Sequence, residues 1–188
     1  MDSKDINRCI EVLRNGGVIL YPTDTIWGLG CDATNAEAVE KIFSIKQRDE
    51  SKSLIVLVNG ETMLERYVTE IPDTASQILE VTDKPITIIY PQGKNFAPGV
   101  CAEDGSVGIR ISTNPFCEAL IDRFRKPIVS TSANFSGSPS PSSFKDIDDR
   151  LIAMVDYTAQ YGRNLPPTDK PSSIIKIFAD NTFKIIRP

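Results

Sequence analysis

Lys46 and Arg48 stand one residue apart with Lys52 close behind, and far downstream Ser130-Thr131-Ser132-Ala133-Asn134 carries three hydroxyls and an amide. Upstream of both, Tyr21-Pro22-Thr23-Asp24-Thr25 runs into Trp27-Gly28-Leu29-Gly30. Lysine contributes a compact charge and arginine a bidentate fork, a pairing suited to several phosphates at once. Glycines let backbone turn or approach another group closely. Together the segments offer a site for an anionic, phosphate-bearing small molecule. Each also has a plainer account. A Lys/Arg pair at a helix end balances the helix dipole. Hydroxyls at a strand exit satisfy local backbone, and Pro22 to Thr25 can form an Asx-type turn. Trp27 beside two glycines is more often a core or wall residue than a stacking platform, and Asp24 alone is a poor metal site. Spacing leaves these alternatives open.

The chain of 188 residues has no histidine. That absence removes Ser-His-Asp hydrolysis, Cys-His proteolysis and the usual zinc sites. Neither a P-loop nor a dinucleotide fingerprint is present. Any catalysis must rest on positioning and electrostatics, with lysine, arginine, hydroxyls, carboxylates or a metal held by phosphates. A net charge of −4 argues against tight nonspecific RNA binding, although a local basic hollow remains compatible with it. Cys9, Cys31, Cys101 and Cys117 are scattered without a C-x-x-C pair and read as reduced, structural thiols.

Composition, 40% hydrophobic and 24% charged, is that of a globular chain, expected to form one domain over 1–188. The longest aliphatic run, Leu54 to Val58, is far too short for a membrane span. The start, Met1-Asp2-Ser3-Lys4-Asp5, has no signal-peptide character. The expected location is cytoplasmic, with no membrane partner.

The elements that must position these residues are set by apolar periodicity. Ile6, Ile10 and Leu13 predict a first helix stopped by Gly16-Gly17, and Val18 to Tyr21 a buried strand ended by Pro22. Asn35 caps a helix whose Val39, Ile42 and Phe43 form its buried stripe, with Lys46 and Arg48 at its C-terminal end. Leu54 to Val58 predicts a strand, and helical stretches come next over 61–67 and 73–82. Strands are expected at Ile86 to Tyr90 and at Val107 to Ile111, the latter carrying Arg110. Asn114-Pro115 starts a helix running to about Arg125. Pro127 to Ser130 forms a strand leading into the Ser132-Ala133-Asn134 loop, at the strand end where open α/β sheets bind ligands. Residues 132–143 form a long Ser/Pro/Gly loop, and final strands lie near 173–178 and 183–187. Helices alternating with short apolar strands give an α/β fold with a mixed sheet.

Pro22 through Gly30, Lys46-x-Arg48 and Ser132-x-Asn134, in that order, resemble the three motifs of the YrdC family of threonylcarbamoyl-AMP synthases, and the likeness runs over nearly the whole chain. The resemblance implies a twisted, open, mixed sheet with flanking helices (YrdC/RibB-like) around a concave polar site, in the short single-domain form. It implies an activity: L-threonine, bicarbonate and ATP give threonylcarbamoyl-AMP and pyrophosphate, which partner proteins use to modify tRNA. Carried over residue by residue, Lys46, Arg48, Lys52, Ser132, Asn134, Ser140 and Arg187 match nucleotide-side positions, with Lys46 and Arg48 catalytic. Thr25, Arg110, Ser130 and Ser172 match positions near threonine and its carbamate. A carbamate oxygen attacking the α-phosphate of ATP brings like charges together, so fixed cations and Mg²⁺ carried by ATP fit the chemistry; no permanently bound metal is implied. The alternative is a noncatalytic protein of this fold binding double-stranded RNA, tRNA or the ribosome. The chain departs from the pattern at Asp49, where many relatives have proline, at Leu57, and in the Lys170-Pro171-Ser172-Ser173 run.

Overall fold

The computed structural model describes residues 2–47, 54–167 and 171–188. The first helix, α1 (Ser3–Arg14), is capped by the Asp2 side chain and buries Ile6, Cys9, Ile10 and Leu13 on one face. Inside that face, the buried Asp5 carboxylate accepts from the Tyr157 hydroxyl and from the backbone N–H groups of Gln160 and Tyr161. These bonds fix the helix to the chain that forms the far edge of the sheet. Burial, helped by the Asp5 carboxylate, pushes the Tyr157 hydroxyl up to about 12.

The strands β1 (Ile19–Tyr21), β2 (Gly28–Gly30), β3 (Ile55–Val58), β4 (Ile86–Tyr90), β5 (Val107–Ile111), β6 (Ile128–Ser132), β7 (Tyr157–Thr158), β8 (Ser173–Ile177) and β9 (Phe183–Arg187) form one sheet in the order β7-β1-β2-β6-β3-β5-β4-β8-β9. Three of its pairings, β1 with β7, β3 with β5 and β4 with β8, are parallel, and the others are antiparallel. The remaining helices are α2 (Ala36–Lys46), α3 (Glu61–Tyr67), α4 (Asp73–Val81), α5 (Pro115–Phe124) and the single turn α6 (Asp149–Ile152). This is the expected α/β architecture: a mixed open sheet with flanking helices.

Of the turn or close approach that Gly28 and Gly30 allow, the chain makes the second, forming β2, wedged between β1 and β6. The physical reason is close approach. A Cβ on Gly30 would lie 2.5 Å from the Tyr21 ring and 2.7 Å from the Val129 carbonyl. Tyr21 is fully buried and its hydroxyl donates to that same carbonyl. Gly30→Ala is therefore expected to destabilise the fold by about 1–3 kcal/mol through overpacking. Urea unfolding measures it, and a midpoint equal to wild type would remove the close-approach argument.

Two helix ends bear directly on the polar face of the sheet. Asn35 caps α2 as its sequence requires, accepting from Ala38 N–H, and the helix stops at Gln47 in the left-handed region (φ 50°). Asn114 caps α5 through Phe116 and Cys117 N–H, with Pro115 in the first turn. Strand β6 runs two residues further than Ser130, so Ser132 lies within the sheet, opposite Gly28. Among the described residues no helix is long and apolar enough to cross a membrane.

Candidate active site

Strand register decides which side chains share a face. Across β3, β5 and β6 the pairings Ile55↔Gly108, Leu57↔Arg110 and Ile55↔Ser130 put Gly108, Arg110, Ser130 and Ser132 on one side. Ile89 pairs with Gly108, and Thr87 with Ile174, so β4 and β8 extend the same face. The other face carries Val56, Ile109 and Val129, all buried in the core. A hollow of about 340 Å³ opens on the polar side, with Trp27 and Thr25 on one wall and Ser172 and Arg187 on the other. That volume lies at the small end of the range for ligand sites.

Of the residues expected in a site, the structure brings Thr25, Arg110, Ser130, Ser132, Ser140, Ser172 and Arg187 to this hollow. Arg110 is 4% exposed. Its Nη1 donates to Thr25 Oγ1 at 3.2 Å, and its Nη2 lies 3.3 Å from Asp24 Oδ1. Arg187 Nε donates to the Ser172 carbonyl at 2.8 Å, so Arg187, expected on the nucleotide side, stands beside Ser172, expected near threonine. Burial, then the positive charge of Arg110, pulls the Arg187 guanidinium below the ordinary arginine range. Among the described residues two cations and no carboxylate line this space, a charge balance that favours anions.

Lys46 sits behind this surface rather than on it, and Asn134 lies beside the hollow, outside its lining. Lys46 is 2% exposed, and its Nζ donates to the carbonyls of Ser132 and Asn134 and to Asn134 Oδ1. Ser132 Oγ in turn donates to Asn134 Oδ1, and Ser136 N–H donates to the Lys46 carbonyl. The ammonium thus staples the end of α2 to the turn after β6. Arg48 and Lys52 lie outside the described residues. Of the loop expected over 132–143 only 136–140 is exposed: Ser132 belongs to β6, Phe135 packs on the core, Pro141 is buried, and Ser142 and Ser143 hydrogen-bond Asp146. A recess beside this loop, bounded by Asn134, Phe135 and Asp148, shares Ser140 with the hollow.

Thr87 and Gly108 were not among the expected site residues. Thr87 is fully buried, and its hydroxyl shares a 2.8 Å hydrogen bond with Ser172. Its signal was a hydroxyl inside the apolar run Ile86 to Tyr90. Gly108 has room for a Cβ at ordinary contact, 3.5 Å from Thr87 and 3.6 Å from Ile55. Its signal was position: two residues before Arg110 in a strand means the same face. Gly108→Ala, whose added Cβ meets only ordinary contacts, is expected to fold with about wild-type stability while raising the floor of the hollow. Loss of turnover at an unchanged melting temperature is the check. Full activity would show that the floor is not occupied by substrate.

An open mixed sheet with a histidine-free, doubly cationic, hydroxyl-lined hollow defines an anion-handling α/β protein. The sequence profile of Sua5_yciO_yrdC, described as telomere recombination, matches residues 11–188, and the chain belongs to this family. It is 31% identical to a threonylcarbamoyl-AMP synthase of Acinetobacter baumannii, with all of both chains covered. Against the enzyme of that name from Pseudoalteromonas translucida identity is 33%, covering 94% of this chain and 98% of the other. Among solved structures, P. abyssi Sua5 complexed with L-threonine superposes with a TM-score of 0.90 at 25% identity, covering 100% of this chain and 55% of the other. The chain thus spans about half the length of that Sua5 protein. E. coli YciO gives a TM-score of 0.85 at 28% identity, with 99% and 89% covered.

Proposed function

We propose that the protein is an L-threonylcarbamoyl-AMP synthase, a nucleotidyltransferase working in the cytosol on L-threonine, bicarbonate and ATP. The observation that carries this reading is end-to-end likeness to proteins of that name, joined to a hollow whose charged lining is cationic. Threonine's amine takes up bicarbonate with loss of water, giving a carbamate. A carbamate oxygen then attacks the α-phosphorus of ATP, and the bond to the bridging oxygen breaks, releasing pyrophosphate.

Arg110, with Thr25 and Ser130 beside it, holds the threonine carboxylate and the new carbamate. Arg187, seated on Ser172, faces the same anions and lowers the repulsion between carbamate and phosphate. Ser132, Asn134 and Ser140 orient the nucleotide, with Arg48 and Lys52 proposed to reach its phosphates. Lys46 acts by holding the Ser132–Asn134 turn. Among the described residues no carboxylate lines the hollow, and no three Cys, Asp or Glu side chains form a metal-binding group. This donor set fits a nucleotide that brings Mg²⁺ on its own phosphates. The product would pass to tRNA-modification partners.

Purified protein with ATP, Mg²⁺, threonine and bicarbonate should release pyrophosphate only when threonine is present. Release without threonine, or none at all, would defeat the reading. The loop supplies a second prediction. Its exposed span, 136–140, is expected to close over nucleotide and exclude water from the labile carbamate. Limited proteolysis there should be suppressed by ATP plus threonine. Equal protection with and without ligands would make it a fixed segment.

A further inference from the structure

We infer that Asp24 is a positioning residue: it sets the rotation of the Arg110 guanidinium, and through it the recognition of the amino-acid substrate. The inference rests on the synthase reading and names a residue of that same site.

The pair is buried, with side chains 5% and 6% exposed, yet only half made. One carboxylate oxygen of Asp24 meets Nη2 at 3.3 Å and also accepts from Ser112 Oγ at 3.4 Å. The other oxygen, Asp24 Oδ2, and Arg110 Nε have no hydrogen-bond partner among the described residues. Buried polar atoms left in this state are rare and ask for an explanation. Here both belong to the same ion pair, so a small rotation of the guanidinium on its Asp24 pivot changes which donors face the hollow. Arg110 lines the hollow, whereas Asp24 stands outside it. Nη1 is already aimed at Thr25 on the wall. Asp24 therefore holds one flank of the fork so that the Nη1 end presents donors to a carboxylate. The sequence places Asp24 and Thr25 side by side, so a single turn after β1 grips both sides of the guanidinium.

Electrostatics alone makes the opposite prediction from positioning. Removing a negative charge beside an anion-binding arginine strengthens the field that an anion feels. If Asp24 only screens Arg110, Asp24→Asn will lower KM for threonine. If Asp24 orients the fork, the amide, which keeps one accepting oxygen but gives up the charge that draws Nη2 to it, will leave Arg110 misaimed. KM for threonine will then rise about tenfold while KM for ATP stays within about twofold.

The experiment is steady-state pyrophosphate release by wild type, Asp24→Asn, Arg110→Ala and the double variant, each checked by thermal unfolding. The expected result is the threonine-specific rise in Asp24→Asn and no further loss when it is added to Arg110→Ala. An unchanged or lowered KM for threonine, or full additivity in the double variant, overturns the role of Asp24. If Asp24→Asn does not fold, Asp24→Glu carries the test. It keeps the charge and displaces it by one methylene, and a wild-type threonine KM would again overturn the inference. Wild-type turnover is the control for the reaction itself. Its failure removes the synthase reading, whereas an active wild type with an unshifted variant removes only Asp24.

Discussion

Arg110→Ala is expected to lower kcat/KM for threonine by about a hundredfold or more, the equivalent of roughly 3 kcal/mol for a buried charge-assisted contact. Arg110 is the most deeply buried cation of the hollow's lining, and it is bridged to Thr25 and Asp24 on β1's outgoing turn. Its removal takes away the fork that would hold a carboxylate and leaves Asp24 buried beside an empty space. The second effect costs stability, about 3 kcal/mol for an ion pair broken from one side. Activity and unfolding must therefore be measured together. Arg110→Lys separates them: it retains a charge near Asp24, so most stability should return, but a point charge cannot replace a planar fork. A stable lysine variant with wild-type threonine KM would show that Arg110 does not bind the amino acid.

Lys46→Met is expected to lose both stability and nucleotide use, for one reason. The lysine ammonium supplies donors to the carbonyls of Ser132 and Asn134 and to Asn134 Oδ1, while being 2% exposed itself. Methionine fills similar volume but takes the donor from the Asn134 carbonyl, at about 1–3 kcal/mol for a buried acceptor left unpaired, and leaves the Ser132 carbonyl only its bond from Asn134 N–H. The turn should then relax, and with it Ser132, which lines the hollow, and the loop carrying Ser140. A lysine that served only as a phosphate ligand would behave differently, because its loss would leave unfolding unchanged. Urea denaturation paired with pyrophosphate release decides between them. Wild-type stability in Lys46→Met would remove the staple.

Much of the fold was legible in the residues. The helix over Ala36–Lys46 begins at the asparagine that caps it, and Asn114-Pro115 marks the start of α5. These boundaries are local, set by side chains bonding to their own backbone, so a few neighbouring residues suffice to define them. The short two-residue β7 and the strand character of Gly28–Gly30 were not legible. Neither has a periodic apolar pattern, and β2 exists because two neighbouring strands bond to it from both sides. Pairing over long sequence separation overrides the turn preference of glycine there.

The candidate site divides in the same way. Residue types alone determined that catalysis here has no histidine and that Lys46 and the hydroxyls of Ser130 and Ser132 were groups to watch, while Arg110 entered through the family resemblance. Sequence order could not say which of them point at one another. Register did: a strand alternates faces, so Ile55, Gly108, Arg110 and Ser130 meet on one side only because their pairings align them. Lys46 and Arg110 are both nearly inaccessible cations, yet one turns onto backbone carbonyls and the other onto the hollow. A buried charge must find partners, and which partners are within reach is a property of packing between segments far apart in the chain. The sequence determined the chemistry on offer; the tertiary structure alone decided which cation bonds to backbone carbonyls and which lines the hollow.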